Sequence, residues 1–241
     1  MNKADFLVKL RAGVDENTGQ FENKSRGFLI WFLRNFFRID EQDAIDSVCD
    51  KGGDKGIDGI WVDETASEEE IYIFQSRFSP FEDRVLGDTD LRLFIGSKSW
   101  FSSTEKVQEL LESTANDELK SLIEGWQIKE RVSKGCKVNA IFITNKTFDI
   151  NAKEYLKANK SEVEGYDVDD IFNKYTYIVE EEAVPAETML KIKNHSYIDY
   201  RLVEGVRVKV FPIQAKELLK LEGIKDSTLF SKNVRYGLGR T

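Results

Sequence analysis

The sequence predicts an α/β protein in which helices flank a mixed β-sheet, with an antiparallel β-rich extension at the C-terminal end. Three observations lead there. Up to residue 180, segments with apolar residues at helical spacing are interleaved with short β-branched and aromatic runs, the order expected of helices covering a sheet. Beyond it, "TMLKIKNHSYIDYRLVEGVRVKVFPIQ" alternates with the period of antiparallel strands. The 241 residues are 41% hydrophobic and 12% aromatic, enough for a buried core and too much for a disordered chain. The expected division is a first domain over 1–180 and a β-rich extension over 181–241.

The elements follow in order. "FENKSRGFLIWFLRNFF" (21–37) puts Phe28, Trp31, Phe32 and Asn35 at helical spacing. It is apolar around its whole girth, so it should pack on a sheet rather than lie on the surface. "GIDGIWV" and "EIYIFQSRF" have strand composition, and the charged "DETASEEE" (63–70) between them reads as a hairpin loop. Residues 103–132 carry Val107, Leu110, Leu111, Leu119, Leu122 and Ile123 at helical intervals, as two helices or one bent one. "KVNAIFITN" (137–145) is typical of a buried strand, and "NAKEYLKANK" (151–160) is a short helix that Asn151 can cap. "AKELLKLEG" closes with a helix and a glycine stop. The last residues, "LFSKNVRYGLGRT", are neither a cap nor a polar tail, and the expectation is a fragment continuing into a further C-terminal region.

Composition excludes several chemistries. No apolar run approaches the length of about eighteen residues that spans a bilayer, and the first residues lack a signal peptide's apolar centre; the expected location is the cytoplasm. Two cysteines, Cys49 and Cys136, and the single His195 leave no disulfide framework, cysteine-rich zinc site or histidine cluster. A Walker loop and a G-x-S-x-G elbow are both missing, and His195 in "NHSYIDY" reads as structural or exposed. A net charge of −8 argues against a generic nucleic-acid binder, although screening over roughly 8 Å lets a basic groove coexist with an acidic body. "KERVSKGCK" (129–137) and "RVKV" (207–210) read as solvated surface, and the aromatics of "WFLRNFF" and "SWF" as core.

The chemistry concentrates in "DKGGDKGIDGI" (50–60) and "FQSR" (74–77). Antiparallel pairing of Val62 with Ile71 sets Asp58 opposite Gln75, and facing side chains lie about 5 Å apart at Cβ. Alternation adds Arg77 to that face. A carboxylate from Asp58, an amide oxygen from Gln75 and a backbone carbonyl are hard oxygen ligands suited to Mg²⁺. Gly56 and Gly59 leave room for a phosphate beside Asp58. The same residues also admit a plain Gly/Asp turn leading into an ordinary strand. The spacing of Asp50, Asp54 and Asp58 fails the calcium-loop pattern, whose early ligands sit two apart.

These two segments resemble the PD-(D/E)XK nuclease superfamily in its Mrr-like restriction-endonuclease branch. More closely, they are similar to the N-terminal region of abortive-infection phage-resistance (AIPR) proteins, and "LFSKNVRYGLG" resembles the way that family continues into its larger second half. The resemblance implies a restriction-endonuclease-like fold and a DNA endonuclease using Mg²⁺, with Mn²⁺ as a substitute, in antiviral defence. It implies that Asp58 and Gln75 bind metal, that Ser76 lends its carbonyl, and that Asp58, Gln75 and Arg77 are the catalytic set. Arg77 stands where the family has lysine. A guanidinium can stabilise a charged phosphate but is always protonated and cannot act as a base. The family often adds a carboxylate from its first helix; Glu22 is the one offered here, and Asp54 is spare. The implied partners are DNA, the chain's own C-terminal region and a second copy, because cutting both strands usually takes two sites. The alternative is a degenerate nuclease fold that binds nucleic acid or protein without cutting.

Overall fold

An antiparallel hairpin of β1 (Gly59–Asp63) and β2 (Glu70–Arg77) begins the central sheet of this computed structural model, and its register pairs Val62 with Ile71 as the alternation predicts. The structure describes residues 2–19, 23–49, 52–64, 68–81, 84–181, 198–203, 206–210 and 216. A short strand, β3 (Val85–Leu86), follows β2; β4 (Lys137–Thr144) then returns parallel to β2, setting Gln75 beside Phe142 and Arg77 beside Thr144. Next comes β5 (Thr147–Phe148), parallel to β3, and then β6 (Glu164–Tyr166), parallel to β4. The main sheet therefore runs β1-β2-β4-β6, and β3-β5 form a separate small pair. Parallel strands covered on both faces read as continuous apolar runs, which is why residues 140–144 are all buried.

Helices cover both faces. On one, α1 (Lys3–Thr18) and α2 (Lys24–Phe32) start at Asn2 and Asn23, whose side chains accept the N–H groups of Asp5 and Ser25. The chain then widens into a π turn, Leu33–Phe37, ending at Arg38 with φ 55°. That turn stacks Phe32 on Phe36 with centroids 4.6 Å apart and swings Phe37 edge-on against Trp61, Tyr72 and Phe74. A six-residue helix, α3 (Glu41–Asp46), leads back to the hairpin. The opposite face carries Ile71, Ile73 and Phe142 in one cluster with Phe94, Leu110 and Leu119. Those last residues come from α4 (Thr89–Lys98), α5 (Thr104–Glu112) and α6 (Asp117–Gly125), followed by α7 (Ile128–Ser133), α8 (Ile150–Ala158) and α9 (Val168–Glu181).

Several expectations change. Residues 103–132 form three helices, because Asn116 caps a new one and Gln127 turns left-handed at φ 49°. The cap of α8 is Asp149, which accepts the Ala152 N–H at 2.7 Å, and not Asn151. Arg131 is no solvated surface cation: it is 9% exposed, its guanidinium pairs with Glu64 and Glu69, and its Nε donates to the Trp126 carbonyl. The aromatics of "WFLRNFF" are core, with Trp31, Phe32, Phe36 and Phe37 buried.

The chain divides into two units, Met1–Thr176 and Tyr177–Thr241. In the second, β7 (Ile198–Val203) and β8 (Val206–Val210) pair antiparallel with an irregularity between Arg201 and Val203. His195, most of "AKELLKLEG" and the closing "LFSKNVRYGLGRT" lie outside the described residues. Among the described residues no helix is long and apolar enough to cross a membrane.

Candidate functional site

Asp58 lies one residue before β1, at a break in its hydrogen bonding. In a regular strand a residue's N–H and C=O point to the same neighbour. Asp58 instead donates its N–H to the Phe74 carbonyl of β2 at 2.8 Å, while its own carbonyl accepts the Cys49 N–H on the other edge at 2.9 Å. Phe74 is already the partner of Gly59. Two residues facing one is a β-bulge, a device that re-aims a side chain. The expected strict opposition of Asp58 and Gln75 gives way to this bulge. The Asp58 carboxylate, 6% exposed, turns to the end of β2 and its Oδ2 accepts the Ser76 N–H at 2.7 Å. A charge-assisted bond of this length, screened from water, fixes the carboxylate firmly.

Arg77 completes the group. Its Nη1 donates to the Ser76 carbonyl at 3.2 Å and lies 3.7 Å from Asp58 Oδ2, while its Nε is 4.0 Å from Asp90 Oδ1 on α4. One guanidinium nitrogen thus spans two of the three oxygens expected to face a cation. Gln75 is 2% exposed, and its Oε1 has no hydrogen-bond partner among the described residues. A buried unpaired acceptor costs about 1–3 kcal/mol, and a hard cation is the ligand that would satisfy it. This orphaned oxygen is the observation by which the residues fit Mg²⁺.

The turn before Asp58 is built to approach closely. Gly56 has φ +77°, and a Cβ there would stand 2.8 Å from Ser97 Oγ and 3.3 Å from Gln75 Nε2. Only glycine fits both the conformation and the space. Ser97 clamps the turn from α4 by donating to the Lys55 carbonyl at 2.7 Å. Asp54 is committed to the same turn: its Oδ1 accepts the Gly56 N–H at 2.8 Å and its carbonyl accepts the Ile57 N–H. It is a turn residue, not a spare ligand as placed. Glu22 and Asp50 lie outside the described residues. Among the described residues no group of three or more carboxylates, histidines or cysteines gathers at one point. The contacts bring Asp58, Ser76 and Arg77 together, while the Gln75 amide is placed beside the Gly56 turn.

Three supporting residues escaped the sequence reading: Ser25, Asp90 and Ser97. Ser25 holds the exit of β2 from the first turn of α2, its carbonyl accepting the Ser76 hydroxyl at 3.0 Å and its own hydroxyl accepting the Phe78 N–H at 3.1 Å. No local pattern signals such contacts, which join segments far apart in the chain. Cys49 sits close by but is no nucleophile. Burial, reinforced by the charges of Asp58 and Asp54, pushes its thiol far above the usual range, and its Sγ donates to the Ile57 carbonyl. Comparison with known proteins adds no relative: no family model matches the chain, and neither the curated proteins nor the solved structures yield a match.

Proposed function

We propose that the chain is the Mg²⁺-dependent endonuclease module of a phage-defence protein, hydrolysing DNA phosphodiesters on a restriction-endonuclease-like fold. The observation that carries the reading is the buried, unpaired Oε1 of Gln75 at the end of a hairpin whose bulge turns Asp58 onto Ser76 and Arg77. The mixed sheet flanked by helices supports the fold. DNA as substrate and the defence role rest on the resemblance of "KGIDGI" and "IFQSR" to AIPR proteins.

Asp58, Gln75 and the Ser76 carbonyl would hold the ion. When bound, Mg²⁺ polarises the phosphate and lowers the pKa of a coordinated water. The chain's own residues do the rest. Asp58 ties down the Ser76 N–H and keeps the end of β2 in one geometry. Gly56 lets the turn pack directly against Ser97 and the Gln75 amide, which keeps Gln75 in place. Arg77, 40% exposed at its side chain, can turn its guanidinium to the phosphoryl oxygens and stabilise the charge that builds there. It takes up no proton, so proton transfer runs through solvent.

One observation favours a second reading, a module of the same fold that binds without cutting. Arg77 Nη1 lies within 3.2 Å of one expected ligand oxygen and 3.7 Å of another, a resident cation in place of a metal. Supercoiled plasmid incubated with the full chain and Mg²⁺ or Mn²⁺ separates the two. Nicking by the wild type that disappears in Asp58→Ala supports the nuclease. Equal absence of nicking in both ends it, and cleavage gained in Arg77→Lys assigns the defect to residue 77.

A further inference from the structure

A cleft of about 340 Å³ opens just beyond the carboxyl ends of two parallel strands, where Phe78 follows β2 and Asn145 follows β4. In open α/β sheets this is where ligands settle. Its lining includes three cations, Lys3, Arg11 and Arg84, and no carboxylate among its described residues. That runs against a chain of net charge −8. Lys3 pairs with Asp169, and both side chains are nearly half exposed, so the pair can exchange for another anion. Leu7, Leu10 and Phe78 supply an apolar floor, and Phe78 is fixed by its ring contact with Phe28.

The rim adds an aromatic platform. Phe81 is 60% exposed, and the Arg84 guanidinium lies 4.9 Å from its ring centroid. Arg84 is held at its backbone, where its carbonyl accepts the Thr147 N–H at 3.3 Å beside the β3-β5 pair. Asn145 locks the wall by bonding both the N–H and the carbonyl of Ser79 at 2.7 Å. Clustered cations, an apolar floor and an exposed ring stacked with arginine match the three parts of a nucleotide: phosphate, sugar and base. The cleft is also of the size that holds a small ligand.

We propose that this cleft binds one nucleotide unit, with its phosphate on Lys3 and Arg84 and its base stacked on Phe81. Phe78 is next in sequence to Arg77, so as a subsite for the strand being cut the cleft rests on the nuclease reading; as a nucleotide site it does not. A nucleotide in a strand and a free mononucleotide offer the same chemistry, and the test tells them apart.

Fluorescence anisotropy of the full chain with a labelled, 5′-phosphorylated single-stranded oligodeoxynucleotide, in EDTA, measures binding apart from catalysis. Lys3→Gln and Arg84→Gln should each weaken binding about 3- to 10-fold and lower the salt slope by about one. Phe81→Ala should weaken it about 5- to 100-fold with little change in slope. Lys9→Gln, also on α1 but outside the cleft, should bind like the wild type. Competition by a deoxynucleoside monophosphate assigns the free nucleotide as occupant; its failure assigns the strand, and either supports the site. Loss of plasmid nicking with binding intact would sink only the nuclease reading. The proposal is overturned if the wild type binds neither probe, if the cleft variants bind unchanged, or if Lys9→Gln weakens binding as much as they do.

Discussion

Replacing Arg77 by methionine removes the guanidinium while keeping an unbranched side chain of similar reach, and the structure says how much this should matter. Nη1 stands 3.7 Å from Asp58 Oδ2, with side-chain exposures of 40% for Arg77 and 9% for Asp58. Coulomb's law at that separation runs from about 1 kcal/mol in water to about 4 kcal/mol at an effective dielectric near 20. Because Arg77 is well exposed, screening places the pair near the lower end, about 1–2 kcal/mol. A divalent cation entering the site must displace this charge or sit beside it. Its removal should therefore tighten Mn²⁺ or Mg²⁺ binding about 5- to 30-fold, at about 1.4 kcal/mol per decade. Isothermal titration calorimetry of the full chain measures this directly, with Asp58→Ala as the baseline lacking a carboxylate. Arg77→Met should bind more tightly yet not cut, because the group that stabilises the phosphate is gone. Affinity equal to or weaker than wild type would refute the argument that the guanidinium competes for these oxygens.

Other outcomes follow from the same geometry. Asp58→Ala should lower stability by about 1–3 kcal/mol even without metal, because it strips a buried Ser76 N–H of its acceptor, while Asp58→Asn retains an oxygen and should lose less; urea unfolding compares them. Gly56→Ala should cost about 1–3 kcal/mol through its left-handed φ and its clash with Ser97 Oγ, and should weaken metal binding by moving Gln75. The chain should also lose stability in alkali. Burial, then hydrogen bonding and charge from Glu70 and Glu164, raises Tyr72 and Tyr166 far above their usual 10.0. Unfolded tyrosine releases its proton near pH 10 and folded tyrosine does not, so stability falls as pH rises through and beyond that value. Burial lowers Lys174 and acts in the opposite sense, but that contribution is complete once pH passes 10.5. Above there the slope should be about 1.4 kcal/mol per pH unit for each tyrosine and for the buried Cys49 thiol, which holds its proton in the same way, and Tyr72→Phe should remove about a third of it, as read by chemical unfolding at stepped pH.

How much was legible depended on the range of the interaction. The hairpin register could be read because alternation on both strands and a polar loop between them constrain it locally, and Val62 does pair with Ile71. The all-round apolarity of 21–37 likewise matched a helix buried through Gly27–Phe32. α1 was not anticipated, since its core contact is the narrow stripe Phe6, Leu10, Val14 and Thr18 on an otherwise polar helix. Arg131 read as surface because its partners, Glu64 and Glu69, stand more than sixty residues away. The bulge at Asp58 was equally hidden: it exists because Ser47 and Cys49 come to pair along the far edge of β1.

Side-chain chemistry and short-range periodicity were enough to name the sheet with its covering helices, to rule out a disulfide framework and a histidine-based metal cluster, and to single out Asp58, Gln75, Ser76 and Arg77. Three matters required the folded chain. Asp54 closes a turn while Asp58 reaches the end of β2; Arg77 lies across the oxygens of Asp58 and Ser76; and cations from α1 and from the start of β3 meet in one cleft. Each depends on which distant segments the core brings together, and burial then sets how strongly their charges and unpaired oxygens act on one another. A pattern of neighbouring residues carries no record of either.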